Sequence, residues 1–550
     1  MKKEMTPWRR FVHLLELDRR DVTQIIYYAI FAGLVALTLP LGIQAIINLI
    51  QGAQVSTSWI ILIVLVTLGV AFQGILQLMQ IRILENMQQK IFTRSSFEFA
   101  YRFPKIKQHE LHNYYPPELA NRFFDTLTVQ KGLSKILLDF PTAILQIFFG
   151  LILLSLYHPF FIIYGLILVV LVYLVFNFTA RKGLKTSLDE SKRKYKVAHW
   201  LQEIARSLVS FKLSGRTSLA MNRNDALTKE YLDARESHFS VLMLQFIQMI
   251  GFKVLVTAGL LLIGGLLVLN QQMNIGQFVA AEIIILLVIG SVEKLLTGLE
   301  SFYDVLTSLE KIGQVVDKKL EAQEGTEPFE NYKMAHLSVD NVSYITNDGH
   351  TILENISFDF EPTDRVYVDG PSGAGKTTLL KLLSAMIEPT SGAIYINDFA
   401  FKGMWVNAYR SHIGQVLPGQ MPFEGSILEN ITFGNPEIAI ETVAQVIRIV
   451  GLKDFVRRQP KGMNSILFPG GQQISHTISK RILIARAIVH EPKILMLKDA
   501  LEHFEADEAA RIINYLGHAD RPWMLIVAGQ SSGWKQICNR TITLTNNNTK

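Results

Sequence analysis

One cysteine, Cys538, is all that these 550 residues carry, so the chain closes no internal disulfide and builds no cysteine-ligated metal cluster. A reducing compartment is compatible with that. Charge is scarce as well, 19% of residues against 49% hydrophobic, and the scarcity is local. Asp, Glu, Lys and Arg are nearly absent from Ile25 to Leu49, Trp59 to Met79, Ile136 to Tyr157, Phe160 to Phe178, Val241 to Leu269 and Phe278 to Val292. Most of these runs are long enough to cross a hydrocarbon core of about 30 Å as helices, so six membrane spans are expected. The last continues in helical spacing through Leu295, Phe302, Leu306 and Leu309, beyond the membrane.

Lys and Arg are also missing from three short connections, near Gln51 to Thr57, at His158 and Pro159, and at Asn270 to Ile275. They crowd the N-terminus instead, as Lys2, Lys3, Arg9, Arg10, Arg19 and Arg20. Positive charge stays inside, which puts the N-terminus and the two Lys- and Arg-rich connections, Arg82 to Lys135 and Arg181 to His238, in the cytoplasm. The first apolar run is too long and too far from the start for a cleaved signal peptide, and no protease-like region is expected ahead of it. The net charge of +6 suits an inner membrane face lined with anionic lipid, not nucleic-acid binding.

Both long connections exceed ordinary loops and keep helical apolar spacing, as at Leu201, Ile204 and Leu208. They read as extensions of the spans that end in short turns, expected around His112 to Leu119 and Ser207 to Gly215. Trp8, Phe11, Val12, Leu14 and Leu15 fit either an amphipathic helix in the membrane interface or a plain helix extension. The expected division is 1–315 membrane domain, 316–335 linker and 336–550 nucleotide-binding domain. The linker is Glu-rich, with Gly325 and Pro328.

From Ala335 short strands alternate with helices, the pattern of an α/β domain. Leu337 to Val342, Ile356 to Phe360, Ile394 to Ile396, Ile494 to Leu497 and Met524 to Val527 read as strands, the last two as buried parallel ones. Gly370-Pro371-Ser372-Gly373-Ala374-Gly375-Lys376-Thr377-Thr378 fits G-x-x-x-x-G-K-S/T without a mismatch. Its glycines let successive amides point at phosphate oxygens, the following helix adds its positive dipole end, Lys376 reaches the terminal phosphates and Thr377 is placed for a magnesium ion.

Six spans with long cytoplasmic extensions, a linker and this phosphate loop resemble an ABC exporter half-transporter over essentially the whole chain. Phe423-Glu424-Gly425-Ser426-Ile427-Leu428-Glu429-Asn430-Ile431, Ile484-Ala485-Arg486-Ala487 and Pro492-Lys493-Ile494-Leu495 carry the likeness further. The implied fold is an α-helical membrane domain of six transmembrane helices plus an α/β P-loop nucleotide-binding domain. The resemblance also implies ATP as ligand, two subunits closing over two nucleotides as a homodimer or a heterodimer with another half-transporter, and turns that couple closure to the membrane. A bacterial inner-membrane location and a secretion adaptor are expected at the level of the family.

The family's working residues map onto departures. Its adenine-stacking aromatic falls on Thr346, with Tyr344 two residues earlier, and its magnesium-sensing Gln falls on Pro418, Gln420 being out of register. The signature LSGGQ falls on Ile474-Ser475-His476-Thr477-Ile478, where only Ser475 is kept; Gly470-Gly471-Gln472-Gln473 aligns with what precedes it. The strand-end carboxylate that anchors magnesium becomes Lys498, the catalytic Glu becomes Asp499, and the switch His becomes Gly529. An ammonium repels a dication and offers it no oxygen, so magnesium loses its anchor, and Asp499 is about 1 Å short of a Glu's reach. Lys498 then stands in for the metal beside the phosphates, or pairs with Asp499 or Glu502.

Three readings remain: a transport subunit that binds ATP and hydrolyses it poorly or not at all, an active exporter working through Asp499, and a nucleotide-independent scaffold or receptor.

Overall fold

The computed structural model describes residues 5–52, 57–112, 114–529 and 532–545, the side chains of 174–181 and 532 excepted. The chain divides into two compact units, 1–104 with 113–318, and 105–112 with 319–550.

The first unit is helical: α1 (Pro7–Leu17), α2 (Arg19–Ala36), α3 (Thr38–Gln51), α4 (Thr57–Arg102), α5 (Pro116–Ala120), α6 (Asp125–Ser155), α7 (Phe160–Arg206), α8 (Leu208–Leu213), α9 (Leu219–Leu269) and α10 (Ile275–Val316). Among the described residues, five stretches are long and apolar enough to cross a membrane, and a shorter apolar one covers Phe160–Tyr173 at the start of α7. The rest of that fourth expected span lies where side chains are not described. With 46, 47, 51 and 42 residues, α4, α7, α9 and α10 are about twice the ~20 residues a bilayer core needs. Their remaining turns form the expected extensions.

The first span is not one helix. Pro40 has no amide to give the Ala36 carbonyl, and the chain breaks between α2 and α3 at Leu37. Helix α1 buries Phe11 against Phe302, ring centroids 5.4 Å apart, so this side chain packs on protein. In the extensions Gly183 of α7 admits the Tyr303 ring, which a Cβ there would meet at 2.4 Å, and the Tyr303 hydroxyl accepts from Gln245 Nε2 at 3.2 Å.

The second unit contains β1 (Leu337–Ile345), β2 (Thr351–Phe360), β3 (Arg365–Asp369), β4 (Ser391–Ile396), β5 (Phe399–Ala400), β6 (Ile413–Val416), β7 (Gly425–Ser426), β8 (Ile466–Leu467), β9 (Ile494–Lys498), β10 (Met524–Ala528) and β11 (Arg540–Thr543). A parallel sheet runs β11-β3-β10-β9-β6 and an antiparallel one β2-β1-β4-β5. Side chains alternate between two cores: Val366, Val368, Met496 and Ile526 enter one, Tyr367, Leu495, Leu497 and Val527 the other. Burial on both faces explains why β9 and β10 read as continuous apolar runs.

Two expectations change here. The segment taken as a linker folds onto this unit: Glu321 accepts from both Arg410 Nη atoms at 2.6 and 2.9 Å, and Phe329 is buried with its ring stacked on Tyr409. An ion pair and an aromatic anchor outweigh the Gly, Pro and Glu content. The first connection, between α4 and α6, includes the turn expected around His112 to Leu119 but begins earlier, at Phe103, and its residues Lys105–His112 belong to this unit. There the Lys107 amide donates to Lys319 O at 3.0 Å, and its ammonium pairs with Glu388 at 2.6 Å.

Candidate nucleotide site

Five strands run parallel, so their carboxyl ends share one edge of the sheet, the side on which such sheets take ligands. In spatial order that edge carries Gly370 after β3, Gly529 after β10, Lys498 at the end of β9 and Pro418 after β6. Positions far apart in sequence are thus gathered by topology alone.

The loop after β3 turns on residues that need freedom at φ. Gly370, Gly373 and Gly375 stand at +142°, +85° and +87°, and a Cβ on Gly370 would meet Leu544 O at 2.5 Å. Pro371, Ser372 and Gly373 are exposed, while Ala374 is buried and fixes the loop to the core. The helix Lys376–Leu383 that follows buries Leu379, Leu380, Leu382 and Leu383, which aims its first-turn amides at the loop. Thr377 and Thr378 lie in that turn, half-buried. Lys376 Nζ donates to the Gly370 carbonyl and, at 2.8 Å, to that of Pro371. An arriving phosphate takes over donors already turned inward.

The end of β9 carries a different chemistry. Lys498 Nζ donates to Asp499 Oδ2 within the chain, so the ammonium is paired with its neighbour and not with Glu502. Asp499 has a left-handed φ of +48°, and its amide donates to Ala528 O at 3.0 Å, holding the pair against β10. Its Oδ1 lies 3.3 Å from where a Cβ on Gly529 would sit, so Asp499 and Gly529 are neighbours.

The remaining positions are engaged structurally. Thr346 gives its hydroxyl and amide to the β1–β2 hairpin, exchanging hydrogen bonds with His350 at 2.9 to 3.3 Å, and offers no aromatic face. Tyr344 packs against the core instead. Pro418 is exposed, and Gln420 turns its Oε1 back to accept from the Leu417 amide at 3.2 Å. Ser475 caps the helix His476–Ile488, its hydroxyl accepting from the Ile478 amide at 3.3 Å; Gly470 and Gly471 sit in the turn before it. His476 is exposed and meets His503 edge to face, ring centroids 5.4 Å apart.

Two cations escaped the sequence reading. Lys535 Nζ pairs with Asp369 Oδ2 at 2.7 Å at the head of the phosphate loop, and that contact, with the Gly370 amide, holds the Asp369 carboxyl below its usual range. Burial pushes the Lys480 ammonium below its usual range, against the pull of Glu502 and Asp499 and together with Lys498. No spacing signals either residue, since each arrives on a distant helix.

Magnesium does not fit this donor set. It wants hard oxygens in octahedral array, and of the family pattern only the Thr377 hydroxyl is left, Asp499 being tied to Lys498. Among the described residues no three His, Cys, Asp or Glu side chains cluster as a metal site.

Residues 23–292 match the family described as ABC transporter transmembrane region, and 353–502 the one described as ABC transporter. The chain is 29% identical over 303 residues to the alpha-hemolysin translocation ATP-binding protein HlyB of Escherichia coli O157:H7, covering 55% of this chain and 42% of that protein. It is 30% identical over 250 residues to the ATP-dependent lipid A-core flippase of Paraburkholderia xenovorans, covering 44% and 41%. The matched stretch therefore spans less than half the length of these relatives. The solved structure of a bacterial Atm1-family ABC exporter with ATP bound shares the fold, with TM-score 0.83 at 18% identity over 96% of this chain and 93% of that one.

Proposed function

For a chain that belongs to the ABC transporter family, as a half-transporter of the exporter type, we propose a membrane subunit that binds ATP through Gly370–Thr378 and hydrolyses it weakly or not at all. One observation carries the proposal: the Lys498–Asp499 pair at the end of β9, on the same sheet edge as an otherwise whole phosphate loop. Gly370, Ser372, Gly373, Ala374, Gly375, Lys376, Thr377 and Thr378 hold the phosphates. Departures at Thr346, Pro418, His476, Lys498 and Gly529 remove the stacking face, the water sensor, the signature clamp, the metal anchor and the switch.

The subunit works as a dimer, with itself or with another half-transporter. The apolar side chains of α8 support this, Leu208, Val209 and Leu213 being 47%, 69% and 82% exposed. It sits in the bacterial inner membrane beside anionic lipid, its N-terminus and nucleotide-binding domain in the cytoplasm, and serves export or a secretion complex with an adaptor. Relatives named for hemolysin translocation and lipid A-core flipping support the export class.

Titrating ATP into the purified dimer with magnesium, then with EDTA, tests the site. Affinities within about threefold of each other are expected, because no carboxylate anchors the metal. Strict metal dependence would sink the reading. Hydrolysis through Asp499 is the second reading, favoured by its Oδ1, which lies beside Gly529 and outside the contact with Lys498.

A further inference from the structure

The extensions of the first unit form an open cleft of about 510 Å³ between α5, α7, α9 and α10 and the turn Asn121–Phe124. Lys311 of α10, Arg122 of that turn, and Lys192 and Lys196 of α7 line it, with the Tyr195 and Trp200 rings. Lys311 and Arg122 are 7% and 5% exposed.

Buried cations are ordinarily paired, because leaving water costs an ion several kcal/mol. Here the local carboxylates, of which Glu118 and Glu203 themselves line the cleft, are already engaged. Glu118 takes Arg122 Nη2 at 3.1 Å and His199 Nδ1 at 3.0 Å, Glu203 takes Arg206, and Asp125 accepts the Tyr195 hydroxyl. That leaves Nε and Nη1 of Arg122 buried with no acceptor, its guanidinium lying 3.5 Å from the Tyr195 ring centroid. Lys311 Nζ, 5.3 Å from the same ring, has no hydrogen bond or ion pair among the described residues, and nor does Lys192. Lys311, nearly buried, and Lys192, exposed at the rim, thus line the cleft with their ammonium groups unpaired, while Glu118 holds Arg122 behind them, an arrangement that an anion completes.

The anion is a soluble one. Lys311 lies about 28 Å beyond Val292, where the apolar run of α10 ends, at 1.5 Å per residue, whereas lipid headgroups extend only about 6 Å past the hydrocarbon. We infer that this cleft binds a small phosphorylated solute of two or more negative charges, held by Lys311 and Lys192. The cleft lies within the first unit and is independent of the nucleotide reading.

Pyrophosphate is the probe, titrated calorimetrically into the full-length dimer in nanodiscs of zwitterionic lipid. The Lys376→Ala substitution is kept in every protein so that the phosphate loop does not contribute. One site per chain is expected, weakened at least about tenfold by Lys311→Gln and again by Lys192→Gln, but retained within about threefold in Lys311→Arg. Lys229→Gln, an exposed lysine outside the cleft, is expected to change nothing. No binding at millimolar pyrophosphate, or equal binding in Lys311→Gln and Lys192→Gln, would overturn the inference. Competition by anionic lipid in the nanodisc would overturn the choice of a soluble ligand.

Discussion

Rebuilding the departed positions other than Thr346 in one chain is expected to raise magnesium-dependent phosphate release by about a thousandfold over the unaltered protein. The substitutions are Pro418→Gln, His476→Gly, Thr477→Gly, Lys498→Asp, Asp499→Glu and Gly529→His. The fold accepts them. Pro418 and His476 are exposed, and His476 and Thr477 open a helix capped by Ser475, where glycine costs less than in a helix interior. Gly529 has no left-handed φ, and the first atom a Cβ there meets is the rotatable tip of Asp499. Glutamate at 499 must adopt the +48° φ now held by aspartate, at a cost on the order of 1 kcal/mol. Lys498→Asp alone is expected to make ATP affinity depend on magnesium without restoring turnover, since the anchor returns while the switch and sensor remain missing. A rebuilt chain that binds ATP and magnesium and still releases no phosphate would show that the lost side chains are not what holds the reaction back.

Lys376→Ala is expected to weaken ATP binding by about a hundredfold, roughly 2.8 kcal/mol at tenfold per 1.4 kcal/mol. Its ammonium is the one cation of the loop itself, already turned onto the Gly370 and Pro371 carbonyls, and charge-assisted contacts to phosphate are the strong ones. Thr377→Ala is the informative companion. In a metal-dependent site that hydroxyl carries a magnesium ligand and its loss is severe. Here a change within about threefold is expected, since no metal is anchored opposite it. Fluorescent-nucleotide titration reads both. Affinity indifferent to Lys376→Ala would favour the scaffold reading, in which the nucleotide is incidental.

Particular residues show what was legible. The spans were visible as charge-poor runs, because a bilayer core sets both length and composition. The break at Leu37 and Thr38 was present in Pro40, yet a hydropathy window averages over a helix boundary. The strands β9 and β10 were readable because burial on both faces leaves them uniformly apolar. The folded segment around Glu321 and Phe329 was not, since its partners Arg410 and Tyr409 lie far along the chain. The same limit hid Lys480 and Lys535, whereas Lys498, Asp499 and Gly529 could be placed from the strands they end. Their pairing was not legible: the sequence left Asp499, Glu502 and a phosphate all open to Lys498, with a carboxylate favoured, and geometry pairs it with Asp499.

The most direct test is steady-state phosphate release from the unaltered dimer in lipid, with ATP and magnesium, beside the Lys376→Ala and Asp499→Asn chains. All three are expected to release phosphate at the same background rate. Brisk magnesium-dependent release from the unaltered dimer, abolished in Asp499→Asn, would contradict the account.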